Sequence, residues 1–300
     1  MKVAFLFAGQ GVQYVGMGKE LYEKSNTFKS IFDKLPSDVK DICFNGPEED
    51  LNNTLNAQPA ILATSYGIAS VLKEKGIDCE FCAGLSLGEY SALTYSGVFN
   101  IDDAIEIVRQ RGSIMADALP LGTTGMAAII NSDEETINNV IGNFENLGIA
   151  NYNSSKQIVI TGDINSIDKA IEKFKELKVR AIKLNVSGAF HSSYLEDASV
   201  KLNEVLSNYE IKKPLKKVVF NVTGNDEDND IKDLLTKQIK SSVLFRQSIE
   251  YMISKGVDTF IEIGPGKTLS GFVRATSKDV NVYQVETYES IEKVVDLLNE

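Results

Sequence analysis

The sequence holds one histidine, three cysteines, six prolines and no tryptophan in 300 residues. It has no apolar run long enough to span a bilayer, which as a helix takes about 20 residues. An odd, small cysteine count argues against a disulfide-stapled scaffold and points to a reducing cytoplasm. Cys79 and Cys82 form a C-x-x-C, but no second pair exists to complete a zinc site, so no metal is expected. Three residues apart in a strand they face opposite sides, and they read as small core residues. Positive charge is scarce: Lys and Arg number 31 against 42 Asp and Glu, a net charge of −11. That excludes nucleic acid or an anionic membrane as the main partner. Nucleotide signatures are missing as well. G-x-G-x-x-G starting at Gly9 fails at Tyr14, and Gly18-Lys19 is followed by Glu20, with Gln13 at the first glycine position of a Walker loop. Gly264-Pro265-Gly266-Lys267-Thr268 fails as a phosphate loop because Ile261 stands where its first glycine belongs.

Apolar residues make up 43% of the chain, enough for a full core in one large domain or two smaller ones. The apolar start, Met1 to Ala8, is too short for a secretory leader and runs directly into glycines and Gln10, so it reads as a first strand. The centre of the sequence is Gly84-Leu85-Ser86-Leu87-Gly88, a G-x-S-x-G. Phe81-Cys82-Ala83 before it reads as a buried strand, and Glu89 to Leu93 after it as a helix ending at Gly97. Strand, tight turn and helix are the context in which that serine is a nucleophile. The Leu87 backbone N–H then opens the helix and can donate to an oxyanion. The glycine-rich turn Ala8 to Gln13 follows the first strand. It is either a plain loop or the other half of an oxyanion hole.

Residues 19–56 read as short helices covering the core. A helix starts at Gln58, with Pro59 near its first turn, and runs to Gly76. Asn100 is placed as an N-cap. At 100° per residue, Ala104, Ile107, Val108, Met115 and Ala118 form one stripe with Arg111 in its middle, while Arg109 falls on the solvent side. An arginine on an apolar face needs an anion, either a structural carboxylate or a ligand. From Thr124 to Leu184 the elements alternate as β-α-β-β-α-β, the order of a ferredoxin-like unit. Residues 124–187 are therefore expected as a small inserted domain, with 1–123 and 188–300 forming the large one. His191 follows at this junction. If Ser86 needs an imidazole base, no other candidate exists. Val218 to Asn221 and Thr259 to Ile263 read as parallel strands. Asn225 to Asp230 reads as an acidic surface loop, and a last helix ends near Leu298.

Phe7-Ala8-Gly9-Gln10-Gly11, Gly84 to Ala92, Arg111-Gly112 and Gly188-Ala189-Phe190-His191-Ser192 together resemble the malonyl-CoA:acyl carrier protein transacylase family. Gln58-Pro59-Ala60, Asn151-x-Asn153-x-x-x-Gln157-x-Val159-x-x-Gly162 and Glu262 to Lys267 fit the same pattern, so the resemblance covers nearly the whole chain. Leu85 departs from the histidine common before the serine, and Ala8, Ala189 and Ser242 replace usual prolines.

The resemblance implies an α/β fold: an α/β-hydrolase-like parallel-sheet large domain with an inserted ferredoxin-like small domain. It implies Ser86 as nucleophile, His191 as its base, and the backbone N–H groups of Gln10 and Leu87 as oxyanion donors. Arg111 becomes the clamp on a malonyl carboxylate, with Phe190, Gln58, Asn153 and Leu244 as further substrate-site residues. Aligning Ser241 to Phe245 on the family's late loop puts the Leu244 carbonyl against His191. The implied reaction is malonyl transfer from malonyl-CoA to the phosphopantetheine thiol of an acyl carrier protein, by a cytoplasmic monomer without a cofactor. A stand-alone polyketide acyltransferase, a serine acyl hydrolase and a non-catalytic carrier-binding module are the competing readings. Phe190, beside His191, is expected to limit room at the acyl α-carbon. Lys212, Lys213, Lys216 and Lys217 form the densest basic run, either a carrier-docking patch or a solvated turn.

Overall fold

The structure is a computed structural model and describes residues 1–186, 188–227 and 230–299. Ser187, where the expected domain junction falls, and Asp228 and Asn229 of the acidic loop lie outside the described residues. Nine strands occur among the described residues: β1 (Val3–Phe7), β2 (Phe81–Gly84), β3 (Thr124–Ile130), β4 (Leu147–Ser154), β5 (Gln157–Asp163), β6 (Arg180–Lys183), β7 (Lys217–Val219), β8 (Thr259–Ile263) and β9 (Asn281–Val285). They form a five-stranded sheet in the order β7-β2-β1-β8-β9 and a four-stranded sheet in the order β4-β5-β3-β6. All pairings in the first are parallel, and all in the second antiparallel.

β1 shows why the parallel sheet lies at the centre. Its residues are all buried, with Phe5 and Phe7 in one apolar cluster and Ala4 and Leu6 in the other. An uninterrupted apolar strand needs cover on both faces, which parallel sheets receive from helices. The helix Thr54–Glu74 supplies much of one cover. It begins four residues before the expected Gln58, because Asn53 caps it by accepting from the Leu55 N–H at 3.0 Å. Pro59 therefore lies inside the helix instead of its first turn, tolerated where burial of nearly the whole segment outweighs one lost backbone bond. Four short helices lie between residues 19 and 52 before it, as expected.

The antiparallel sheet and its helices Glu134–Ile141 and Ile164–Glu176 occupy the stretch expected, in the expected β-α-β-β-α-β order. Its edge is sewn to the rest of the chain: Tyr152 N–H donates to the Val243 carbonyl at 2.9 Å, and Val243 N–H to the Ala150 carbonyl at 2.8 Å. Glu262, at the end of β8, accepts from the Leu269 and Ser270 N–H groups at 2.9 and 2.7 Å and so caps the helix Thr268–Thr276. The cysteine geometry differs from expectation. Cys79 precedes the regular part of β2, so strand alternation does not apply, and its Sγ lies 3.4 Å from that of Cys82. Among the described residues, no helix is long and apolar enough to cross a membrane.

Candidate active site

β1 and β2 are neighbours, and the carboxyl ends of adjacent parallel strands are where such sheets bind ligands. β2 ends at Gly84 and the helix Leu87–Tyr95 starts three residues on. Between them Ser86 has φ 54° and ψ −103°, a backbone region that costs a residue with a side chain about 1–3 kcal/mol. Hydrogen bonds hold it there. Ser86 N–H donates to Asn221 Oδ1 at 2.7 Å, and Gln238 Nε2 donates to the Ser86 carbonyl at 2.9 Å. The motif's glycines are needed for close approach. A Cβ on Gly84 would lie 2.0 Å from the Gly88 carbonyl carbon, and one on Gly88 2.1 Å from the Phe7 carbonyl oxygen.

Ser86 Oγ lies 2.8 Å from His191 Nε2, and His191 Nδ1 lies 2.8 Å from the Gln238 carbonyl. A carbonyl only accepts, so Nδ1 carries the proton and Nε2 is free to take one from the serine. Burial, and then the nearby Arg111 charge, push the imidazole down to about 4, so it stands neutral at pH 7. Leu244 is not the residue that orients it. Leu244 is the residue before the helix Phe245–Ser254, and its carbonyl accepts from the Ser248 N–H and Oγ instead.

Arg111 is 1% exposed. Its Nη1 donates to Gln58 Oε1 at 2.9 Å, and its Nη2 to Gln238 Oε1 and to Ser86 Oγ, both at 3.1 Å. The Tyr90 ring lies beneath the guanidinium, 5.2 Å from centroid to Cζ. No ion pair to Arg111 occurs among the described residues, and its Nε has no partner. Of the two anions the sequence left open, the structural carboxylate is thus absent from that set, and neutral amide oxygens take its place. Burial lowers the guanidinium from its usual value. A buried cation held by neutral acceptors, with one hand on a serine hydroxyl, is a ready donor to an anion. Arg109, by contrast, lies on the outer side, 3.6 Å from Asp38.

Among the described residues, neither the Gln10 nor the Leu87 backbone N–H has a hydrogen-bond partner. Gln10 stands in the turn after β1, its side chain tied to Thr54 Oγ1 at 3.0 Å; Leu87 is the first residue of the helix after Ser86. Phe190 is half-buried beside His191, with its carbonyl accepting from Thr161 Oγ1 at 3.0 Å. Asn153 is not brought to this group by any hydrogen bond. Its amide donates to Gln157 Oε1 within the β4–β5 hairpin. A cleft of about 560 Å³ opens beside His191, lined by Leu147 to Ile149 of β4, Ser192 to Tyr194 and Lys240 to Ser242.

Sequence reasoning missed Asn221, Glu89 and Gln238. Gln238 carried a usable signal, because Ile231, Leu234, Leu235 and Gln238 recur at helical spacing and a polar side chain on an apolar stripe is what drew attention to Arg111. The basic run does not join the site. Lys217 pairs with Phe81 at the opposite end of β2, and Lys212 and Leu215 donate to the carbonyls of Val98 and Ser96, beyond the far end of the elbow helix. Three of its four lysines are already ion-paired, Lys212 with Glu210 at 3.5 Å, Lys216 with Asp78 at 2.6 Å and Lys217 with Glu80 at 3.0 Å. Charge reversal at Lys212 and Lys213 is therefore expected to leave the carrier KM unchanged. Steady-state kinetics against carrier concentration checks this, and a several-fold rise in KM would restore the docking reading.

The parallel sheet, the strained serine and its imidazole bring together the parts of a serine-nucleophile site. The family model for the acyl transferase domain matches residues 4–294, and the chain belongs to that family. It is 43% identical over 310 aligned residues to the malonyl CoA-acyl carrier protein transacylase of Bacillus subtilis, covering 100% of this chain and 98% of that one. The crystal structure of the malonyl CoA-acyl carrier protein transacylase from Clostridium perfringens superposes with a TM-score of 0.96 at 44% identity, covering 100% of this chain and 98% of that one. A malonyl-transacylase solved in complex with its type II PKS acyl-carrier protein superposes with a TM-score of 0.95 at 33% identity, over 99% of this chain and 100% of that one.

Proposed function

We propose that this protein transfers the malonyl group of malonyl-CoA to the phosphopantetheine thiol of an acyl carrier protein through a malonyl-serine intermediate, supplying extender units for fatty acid synthesis. The observation that carries this reading is the double contact of Ser86 Oγ, with His191 Nε2 on one side and Arg111 Nη2 on the other. A base and an unmatched cation meet at one nucleophile, which suits a thioester bearing a carboxylate. His191 takes the Ser86 proton as Oγ forms its bond to the thioester carbon. The Gln10 and Leu87 N–H groups hold the oxyanion, each worth about 3 kcal/mol. The carbon–sulfur bond breaks, and coenzyme A leaves with the proton from His191. The carrier thiol then gives His191 its proton and attacks the ester, and Ser86 regains its hydrogen. Every group required is on the chain, so the reaction calls for no cofactor. The cleft beside His191 has the volume for a thioester arm.

The strand order β6-β3-β5-β4 supports the ferredoxin-like description of the insert, and the elbow at the end of a parallel strand supports the α/β-hydrolase-like description of the rest. We divide the chain accordingly, 124–187 as the insert and 1–123 with 188–300 as the large domain. The three free thiols favour a reducing compartment such as the cytoplasm.

The neighbour solved with a type II PKS carrier keeps a second reading in view, the same chemistry on a polyketide carrier. Intact-mass spectrometry after incubation with malonyl-CoA tests the reaction: the protein gains one malonyl group and loses it on adding a holo carrier. Rates with fatty-acid and polyketide carriers separate the two readings. Rapid release of free malonate without a carrier would make the protein a hydrolase.

A further inference from the structure

We infer that Glu89 is a positioning residue for Ser86: its carboxyl fixes the asparagine that holds the strained elbow, and does so as a neutral acid that leaves Arg111 unmatched for the acyl carboxylate. The inference rests on the reading of Ser86 and Arg111 proposed above. Glu89 sits in the first turn of the elbow helix and is fully buried. Its Oε2 accepts from the Asn221 N–H at 2.5 Å. The Asn221 side chain then grips the elbow from both sides, with Oδ1 accepting from Ser86 N–H at 2.7 Å and Nδ2 donating to the Gly84 carbonyl at 2.7 Å. One carboxyl thus sets the residue that sets the φ of the nucleophile.

The charge state follows from the surroundings. Among the described residues Glu89 has no ion-pair partner, and its Oε1 has no hydrogen bond. The groups facing it are Asn221 after β7, Gln238 from the helix Ile231–Gln238, Tyr90 on its own helix and Arg111 from the helix Ile101–Ala118; only Arg111 is charged. Burial outweighs these and pushes the Glu89 carboxyl up to about 8. An unpaired carboxylate in such a site is far costlier than an unpaired carboxylic acid. The neutral form also matters for function. An ionised Glu89 would compete with the malonyl carboxylate for Arg111, and a carboxylate arriving on Arg111 favours the protonated Glu89 in turn.

The test is single-turnover acylation of Ser86 by malonyl-CoA, read by quenched intact-mass spectra across pH for wild type, Glu89→Ala and Glu89→Gln. Glu89→Ala frees Asn221, so the acylation rate at saturating malonyl-CoA should fall about 100-fold, the scale of a small misplacement of a reacting group, with the half-saturation concentration changed much less. Glu89→Gln keeps an acceptor for the Asn221 N–H without a charge, so it should recover most of that loss. Wild type should lose rate as pH rises above about 8, later at saturating malonyl-CoA than in the free enzyme, and Glu89→Gln should lack that alkaline limb. If Glu89→Ala does not fold, the Glu89→Gln profile decides alone. A Glu89→Ala rate equal to wild type, a Glu89→Gln as slow as Glu89→Ala, or an alkaline limb that persists in Glu89→Gln overturns the inference. Wild type that forms no adduct overturns the reading of the site beneath it, which is a different result from an adduct that forms alike in all three proteins.

Discussion

Ser86→Ala incubated with malonyl-CoA keeps its unmodified mass, and transfer to the carrier falls to background. His191→Ala still binds malonyl-CoA but acylates about a thousandfold more slowly, since one imidazole serves as base and acid in both half-reactions. The hydrogen-bond directions make this specific. The Gln238 carbonyl fixes the proton on Nδ1, so Nε2 always presents its lone pair to Ser86 Oγ. Because burial and Arg111 depress the imidazole to about 4, acylation should be level from about pH 5 to 7 and fall as pH drops through about 4. The same depression links to stability with a definite sign. The unfolded histidine binds its proton at about 6.5, above the folded value, so the contribution is present above 6.5 and lost as pH falls through about 4. Acylation rates and melting temperatures from pH 3 to 7, compared between wild type and His191→Gln, check both. An acid limb near 6.5 in the wild-type rate would mean that the imidazole is not sealed as the structure has it.

What the sequence made legible was what is local. The elbow needs only five consecutive residues, and its two glycines follow from backbone distances that no side chain could tolerate. Arg111 was legible because helical periodicity alone puts it on an apolar stripe. The residues that hold these groups in place were not, because they act through main chain or from far away. Gln238 orients His191 with a carbonyl, which carries no side-chain signature, and the loop alignment moved that role six residues on to Leu244, whose carbonyl already belongs to the helix it starts. Asn221 reaches back 135 residues to the Ser86 amide. The partners of Arg111 are glutamines, Gln58 and Gln238, where charge matching alone pointed to a carboxylate. The cysteines show the converse error, a strand rule applied two residues outside the strand. The lysine run stayed open between a docking patch and a solvated turn because its acidic partners, Asp78 and Glu80, are remote in sequence and adjacent only through the parallel pairing of β2 and β7.

Arg111→Ala should reverse the acyl preference instead of merely weakening the enzyme. In wild type the guanidinium is buried, held by two amide oxygens and the serine, and lacks an ion-pair partner among the described residues. A malonyl carboxylate can accept two parallel hydrogen bonds from it, a fork that lysine does not reproduce. Acetyl-CoA offers it nothing and leaves its charge acting on His191, where that charge lowers the basicity the reaction needs. Malonyl binding cancels the charge and returns basicity to His191 as the thioester reaches Ser86. Both effects favour malonyl, and both vanish in Arg111→Ala. Losing one partner of a buried charge pair costs about 2–5 kcal/mol, so malonyl kcat/KM should fall about 30-fold or more. Acetyl kcat/KM should hold or rise, because the imidazole is relieved of its cationic neighbour. Phe190 stands next to His191, and Phe190→Ser should admit methylmalonyl-CoA, a poor substrate for wild type, without changing the acetyl rate. The measurement is kcat/KM for malonyl-, methylmalonyl- and acetyl-CoA with the three proteins. Equal losses on all three substrates in Arg111→Ala would make Arg111 a structural member of the Gln58–Gln238 network, and its contact with Ser86 Oγ would then have no bearing on which acyl group is carried.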